Sequence, residues 1–346
     1  MLQKQNQKRK IAFIVEHCPI KGLYPFERVI LLNKLLQEEE STLVFAKTTS
    51  SLPLQMFERA GISPVLFDNY NELAKTMRNL ELDLIVHDGK DTLPEHVSLI
   101  RPYCKTIVHF DDFGDGNALI DCNILALFDE AREQMPMNAL AGSYAFAVSD
   151  ELKAIAESRI DMPENELPHI VVAFEDGDEQ NLTYRTLRHL TQLQIPLKIS
   201  VAIDAEYRHS VEDLQLMVLS RRNTSIVKEE RALQSLMPVA DIVICNTNYT
   251  PYKIAAVGIP CITLAQNEHE LAHAFARELN GFIHLGVGRK MKQSSIQNAV
   301  MELLLHEARR DRAIRKQRSL EILHNNEILQ SLLTDLAHGR HNIAHI

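Results

Sequence analysis

Five consecutive side chains that can hydrogen-bond, Asn246, Thr247, Asn248, Tyr249 and Thr250, stand inside the stretch "ADIVICNTNYTPYKIAAVGIPCITL" at 240–264. The apolar run Ile242–Cys245 before them reads as a buried parallel strand. Pro251 suits the first turn of a helix, where its missing N–H would be unpaired anyway. Gly258 marks the end of that helix, and Cys261–Leu264 reads as the next strand. A turn with a helix cap is one use for such residues. A ligand site is the other, because open α/β sheets bind ligands at the carboxyl ends of their strands and helix N-termini favour anions. Gln266, Asn267 and Glu268 follow the next strand at the same edge. Lys253 adds a cation that would favour an anion such as phosphate, or is a solvated helix residue.

Four further places hold candidate chemistry. His87 and Asp88 end a strand, and neighbours in a strand point to opposite faces, so one of them at most looks into a given cleft. Asp111 and Asp112 are a ligand-hydroxyl contact or a general base, or they satisfy loop amides. Asp178 and Asn181 match a helix cap as readily as a ligand contact. His269 and His273 stand four apart on an expected solvated helix face, without the H-E-x-x-H pattern of a zinc site.

The elements that must position these residues alternate. Strands are expected at Ile11–Val15, Thr42–Ala46, Pro64–Phe67, Leu82–His87, Thr106–Phe110 and Asn123–Ala126. Helical patterns at Pro25–Glu39, Pro53–Ala60, Asn71–Asn79 and Pro94–Arg101 lie between them, as in βα units wound into a parallel sheet. "FAVSDELKAIAESR" follows, with Ser149 as a cap, and "RIDMPENELPH" (159–169) breaks the pattern. A second set begins at Ile170–Phe174 and continues through Leu197–Ala202, Thr224–Val227, Asp241–Cys245, Cys261–Leu264 and Gly281–His284. Residues 292–338 read as helical throughout.

Composition narrows the class. A chain of 346 residues with 45% hydrophobic and 24% charged content predicts a soluble protein of two domains. A net charge of −9 argues against nucleic acid or an anionic membrane as partner. Cys18, Cys104, Cys122, Cys245 and Cys261 form no C-x-x-C pair, which predicts a reducing, cytoplasmic setting without disulfides or a cysteine zinc site. Ile11–Val15 is too short for a membrane span or a signal-peptide core. "EHCPIKGLY" after Val15 lacks the G-x-G-x-x-G of a dinucleotide-binding turn.

Four segments together resemble the nucleotide-sugar hydrolases of pseudaminic acid biosynthesis and the related spore-coat polysaccharide biosynthesis proteins. They are "DLIVHDG" (83–89) with "TIVHFDDFGDGNALIDCNILALF" (106–128), "IVVAFEDGDEQNLTYRTLRHL" (170–190), "CNTNYTPYKIAAVGIPCITLAQNEHELAHAFARELNGFIHLGVG" (245–288), and "GLYPFER" (22–28). The resemblance implies a glycosyltransferase-B-like fold, with two Rossmann-like domains facing across a cleft and helices at the C-terminus. It implies a nucleotide-sugar ligand, a UDP- or CMP-linked amino sugar, with no cofactor and no metal, and another enzyme of a glycan pathway as a further partner. It also implies ligand contacts from Asp178, Asn181, Asn246, Thr247, Asn248, Tyr249, Thr250, Lys253, Gln266, Asn267 and Glu268.

The chain departs from that family where its chemistry sits. Gly22 and Arg28 keep the spacing of Gly-x-Gly-His-x-x-Arg, but Tyr24 replaces the second glycine and Pro25 the catalytic histidine. A pyrrolidine moves no proton. Glu175 and Asp176 replace the glycine pair that would approach a diphosphate. Lys253 stands where the family would bind the ribose through an acidic residue. A binding protein without hydrolase activity is therefore expected, the alternative being an active hydrolase or glycosyltransferase with His87, Asp88 or Asp111 as base. The expected organisation is an N-terminal domain at 1–160, a nucleotide-binding domain at 168–310 and a helical segment at 311–346 that packs back.

Overall fold

Ile11–Val15 runs five apolar residues without polar alternation, and all five are fully shielded from solvent. A strand covered on both faces by helices requires that pattern. In the computed structural model, which describes residues 8–128, 136, 138–159, 165–219 and 221–340, this run forms the core of β1 (Lys10–Glu16). It is followed by α1 (Tyr24–Leu36), β2 (Ser41–Lys47), α2 (Ser51–Arg59), β3 (Val65–Leu66), α3 (Tyr70–Met77), β4 (Leu82–Asp88), α4 (Pro94–Ile100), β5 (Cys104–Phe110), β6 (Cys122–Leu125) and β7 (Ala139–Ala141). The seven strands pair in the order β3-β2-β1-β4-β5-β6-β7. All their ladders are parallel.

A second sheet follows. Its elements are α5 (Asp150–Ser158), β8 (His169–Ala173), α6 (Leu182–Leu190), β9 (Lys198–Ile203), α7 (Val211–Leu219), β10 (Thr224–Lys228), α8 (Ala232–Leu236), β11 (Ile242–Cys245), α9 (Thr250–Val257), β12 (Cys261–Ala265), α10 (Glu268–Leu271), β13 (Phe282–Val287), α11 (Gln293–Leu305) and α12 (Glu307–Arg318). The strand order is β10-β9-β8-β11-β12-β13, again parallel throughout. Ile170, Val172, Ile242, Ile244, Ile262 and Leu264 carry its apolar face to α6 and α11. The last element among the described residues is α13 (Asn325–Ala337).

The chain thus forms two Rossmann-like α/β units. The first comprises Met1–Ala147 with His324–Ile346, the second Val148–Leu323. This division differs from the one expected at 160 and 168. Ser149 caps α5 through Leu152 N at 3.2 Å as its sequence predicts, but α5 lies against α9 in the second unit. Residues 160–164, within the expected linker, lie outside the described residues. The region 292–338 is also not one continuous helix. His306 leaves helical geometry at φ −116°, ψ 88° and separates α11 from α12. Glu321, at φ +50°, breaks the chain again before α13. The expected division at 310/311 therefore falls inside α12, and only α13 joins the first unit. There Asn325 Nδ2 donates to Ser143 O at 2.6 Å and Phe146 O at 2.9 Å, and Gln330 Nε2 to Leu35 O at 3.2 Å. β7 has no counterpart in the sequence reading, because Ala139–Ala141 carries neither β-branched nor aromatic residues. Among the described residues no helix is long and apolar enough to cross a membrane.

Candidate functional site

In each sheet the winding direction reverses once, between β1 and β4 in the first unit and between β8 and β11 in the second. Loops diverge at such a point and leave a crevice at the carboxyl ends of the strands, where open α/β sheets take their ligands. The polar run after β11 stands at the second reversal.

Thr250 Oγ1 donates to Glu175 Oε2 at 2.8 Å, and Lys253 Nζ lies 3.0 Å from the same oxygen. Asn248 Nδ2 donates to Asp176 Oδ2 at 2.8 Å, and Asn246 Nδ2 reaches that oxygen at 3.3 Å. Gln266 Nε2, arriving from the end of β12, donates to the backbone oxygen of Glu175 at 3.2 Å. Thr247 and Gln266 both meet Glu270, through Thr247 Oγ1 to Glu270 O at 2.8 Å and Gln266 N to Glu270 Oε2 at 2.9 Å. Tyr249 is buried at the start of α9. Loops after β8, β11 and β12 therefore meet in one cluster. Gly258, left-handed at φ +77°, ends α9 and takes no part.

The cluster is rich in carboxylates. Removal from water, with the charge of Glu175, pushes the Asp176 carboxyl well above its usual range. Burial, then Glu175 and Glu206, raise Asp204 after β9 to about 7. Burial likewise raises Glu270 to about 7, against the amides of Gln266 and Thr247 that hold its charged form. Two buried acceptors, Asn246 Oδ1 and Gln266 Oε1, have no hydrogen-bond partner among the described residues.

Other residues named from the sequence serve helix ends or the surface. Asp178 accepts from Leu182 N at 2.7 Å and Thr183 N at 2.8 Å, capping α6. Its carboxyl is pushed up to about 6 by burial. Asn181 is left-handed at φ +52° and takes the Tyr207 hydroxyl at 3.2 Å. Asn267 caps α10 through Glu270 N at 3.0 Å, and exposed Glu268 pairs with Lys290 at 2.6 Å. Lys253 is not a solvated helix residue: its side chain is 12% exposed. His273 is fully buried, with Nδ1 3.0 Å from Thr247 O, so the expected solvated face does not form. α10 stops at Leu271, before a second turn can carry His273 outward. Sequence reading missed Glu270 and Asp204. Their only signal was a position just past a strand.

At the first reversal Arg28 governs the geometry. Its side chain is wholly buried, with Nε 2.8 Å from Asp88 Oδ2 and Nη2 3.4 Å from Asp111 Oδ2. Nη1 donates to Ala145 O at 3.3 Å, and the guanidinium lies 4.1 Å from the Phe110 ring centre. Asp111 Oδ1 accepts from Ala126 N at 2.7 Å and Leu127 N at 3.0 Å. Asp112 accepts from Thr92 N at 2.8 Å and Gly114 N at 3.0 Å. Both aspartates thus satisfy loop amides. Burial raises the Asp88 carboxyl, opposed first by Arg28. Tyr24 stacks on Phe146 with ring centres 4.7 Å apart and donates to Ala147 O at 3.1 Å. Tyr24 and Pro25 are therefore core residues at the start of α1.

His87 turns to another group. Its Nε2 lies 3.3 Å from Glu16 Oε1 and 3.0 Å from the Tyr70 hydroxyl, which also bonds Glu16. His96 stacks flat on Tyr70 at 4.0 Å. Burial opposes ionisation of Glu16, but His87, Tyr70 and Lys47 outweigh it and hold the carboxyl at about 2. Gly89 makes the approach possible, since a Cβ there would stand 2.6 Å from Glu16 O. Among the described residues no group of three or more His, Cys, Asp or Glu is arranged to hold a metal ion.

No protein-family model matches this chain. A relative described as an uncharacterized protein of Methanocaldococcus jannaschii is 22% identical over 279 residues, 75% of this chain. The chain spans about half the length of that relative, 56%. Among solved structures, MurG of Acinetobacter baumannii superposes with a TM-score of 0.68 at 14% identity, over 94% of this chain and 99% of the other. UDP-GlcNAc 2-epimerase of Neisseria meningitidis, bound to UDP-GlcNAc, gives 0.64 at 10% identity over 94% and 100%. A glycosyltransferase of Rickettsia africae gives 0.62 at 10% identity over 95% and 99%. The fold is of the glycosyltransferase-B type.

Proposed function

We propose that this chain binds a nucleotide-activated sugar, a UDP- or CMP-linked amino sugar of surface-glycan or spore-coat polysaccharide biosynthesis, at the reversal between β8 and β11. The observation that carries the reading is the convergence of Asn246–Thr250, Lys253 and Gln266 with the turn after β8 at that edge. The similar epimerase that holds UDP-GlcNAc supports it by its fold. The proposed setting is cytoplasmic, beside other enzymes of the pathway.

The same reading holds that the hydrolase chemistry of the resembling family is lost. Pro25 has no proton to move, and Asp88 and Asp111 are bound to Arg28. General acid–base participation is worth roughly 10²–10⁴ in rate. An active enzyme with His87 as base is the rival, favoured by its contact with ionised Glu16.

Thermal-shift titration with UDP, CMP and their sugars tests binding, since a ligand of the folded state raises Tm by mass action. We expect a shift with at least one nucleotide sugar and little or no nucleotide release from the UDP-linked trideoxy sugar of that family. Silence with every ligand would end the binding reading. Turnover on the order of 1 per second or faster would move the protein to the enzyme reading and His87 to its centre.

A further inference from the structure

The donors at the amino end of α9 are already engaged. Thr250 Oγ1 and Lys253 Nζ, one turn apart on that helix, both meet Glu175 Oε2, at 2.8 and 3.0 Å. A hydroxyl and an ammonium beside a helix N-terminus form an anion subsite in physical terms. A carboxylate of the chain's own fills it.

Two acceptors beside it remain open. Asn246 Oδ1 and Gln266 Oε1 are buried without a hydrogen-bond partner among the described residues. The amide nitrogens of both side chains hold the backbone oxygen of Glu175, at 3.4 and 3.2 Å. Each open oxygen therefore lies at this same edge. Buried acceptors left unpaired are unfavourable, so these two oxygens are suited to take a donor. Filled donors next to open acceptors fit a ligand that carries an anion together with hydroxyl or N–H groups.

We propose that Glu175 is a built-in occupant of this anion subsite, and that a ligand phosphate enters only by displacing its carboxylate from Thr250 and Lys253. The inference rests on the nucleotide-sugar reading only for the identity of the natural anion. The displacement needs side-chain rotation alone, because Asn246 and Gln266 fix the backbone of Glu175. The side chain is 17% exposed, which leaves it an outward path. The turn beyond it is left-handed at Asp176, Asp178 and Asn181, with φ of +65°, +44° and +52°, a conformation that Asp and Asn tolerate.

The surroundings set the pH dependence. The charges coupled to Glu175 are Asp176 on the turn after β8 and Asp204 after β9, with Glu206 beside Asp204. Asp178, Arg208 and His209 stand on the same two loops, Arg208 near Gly177 and His209 at Asp178 O. Lys253 stands on α9, and Glu270 and His273 follow β12. Burial raises the Asp204 carboxyl to about 7 and pushes that of Asp176 well above its usual range, so Asp204 carries a proton below neutrality and tolerates a neighbouring anion. As pH rises through about 7 Asp204 ionises, and phosphate affinity falls.

The test uses the full chain and inorganic pyrophosphate, titrated by calorimetry slightly below neutral pH. Glu175→Ala should bind pyrophosphate about tenfold or more tighter than the parent, with Glu175→Gln between them. Adding Lys253→Ala should abolish the gain, and Asp204→Asn should remove the loss of affinity at higher pH. Circular dichroism melts check that each variant folds, and Glu175→Gln decides the matter if the alanine variant does not. Equal affinity in the parent and the folded Glu175 variants, or a gain that survives Lys253→Ala, overturns the proposal. Nucleotide sugars titrated in parallel separate the two readings. A pyrophosphate gain with no nucleotide-sugar binding in any variant keeps the occupant and ends the nucleotide-sugar reading.

Discussion

The two reversal points hold similar carboxylates in opposite charge balance. In the first unit Arg28 engages Asp88 and Asp111 at full burial, and backbone amides take up the rest of Asp111. In the second unit Glu175, Asp176 and Asp204 share the field of Lys253, and burial leaves two of them with raised carboxyl pKa values. A guanidinium presents several fixed donors and stays charged, whereas an ammonium is a single movable point. The first arrangement is a strut. The second is a balance that a ligand or a proton can shift.

The largest expected effect breaks the strut. Arg28→Ala should destabilise the protein by about 3–5 kcal/mol, because it leaves two buried aspartates uncompensated. Lys253→Ala should cost less, about 1–2 kcal/mol, since Thr250 still donates to Glu175 and the carboxylate keeps some access to water. Urea unfolding followed by circular dichroism measures both, and equal losses would show that the two places do not differ.

The next effect is a pH dependence of opposite sign. Asp204 rises from 3.8 to about 7 on folding and Glu270 from 4.5 to about 7. The folded second unit therefore binds more protons between these values, and its stability falls as pH rises through that window. Glu16 falls from 4.5 to about 2. Its contribution is present above 4.5 and lost as pH drops toward about 2. Asp204→Asn should flatten the upper slope and Glu16→Gln the acid limb, each leaving the other unchanged in thermal melts across pH. A single slope that both variants alter alike would contradict the contrast.

The smallest effect sharpens the ligand side. Thr250→Val should weaken nucleotide-sugar binding by about 1 kcal/mol or less, because its hydroxyl exchanges the Glu175 carboxylate for the ligand and the substitution removes a hydrogen bond from both states. Unchanged affinity in calorimetry would make Thr250 a structural anchor for Glu175 alone.

All strands but β7 had a counterpart in the sequence, most clearly where buried parallel strands leave unbroken apolar runs, such as Ile11–Val15 and Ile242–Cys245. The cap at Ser149 was legible too, and that at Asp178 as one of two readings, since a cap lies within a few residues of the amides it serves. The polar knot after β11 could be located for the same reason, as a cluster of hydrogen-bonding residues between a strand and a proline.

The sequence alone therefore determined two parallel α/β sets and the polar run at the carboxyl end of β11. Tertiary structure decided which carboxylates are held and which are poised. Arg28 meets Asp88 and Asp111 across 60 and 83 residues of chain, and Lys253 meets Glu175 across 78. No local pattern encodes such partners. Charge pairing is set by distance and by the water excluded around it, and both exist only once the sheets have formed. The same holds for His273, polar in the sequence yet buried, and for α13, whose return to the first unit follows from breaks at His306 and Glu321. Local hydrogen bonding and apolar periodicity act along the chain, whereas burial and Coulomb energy act through space.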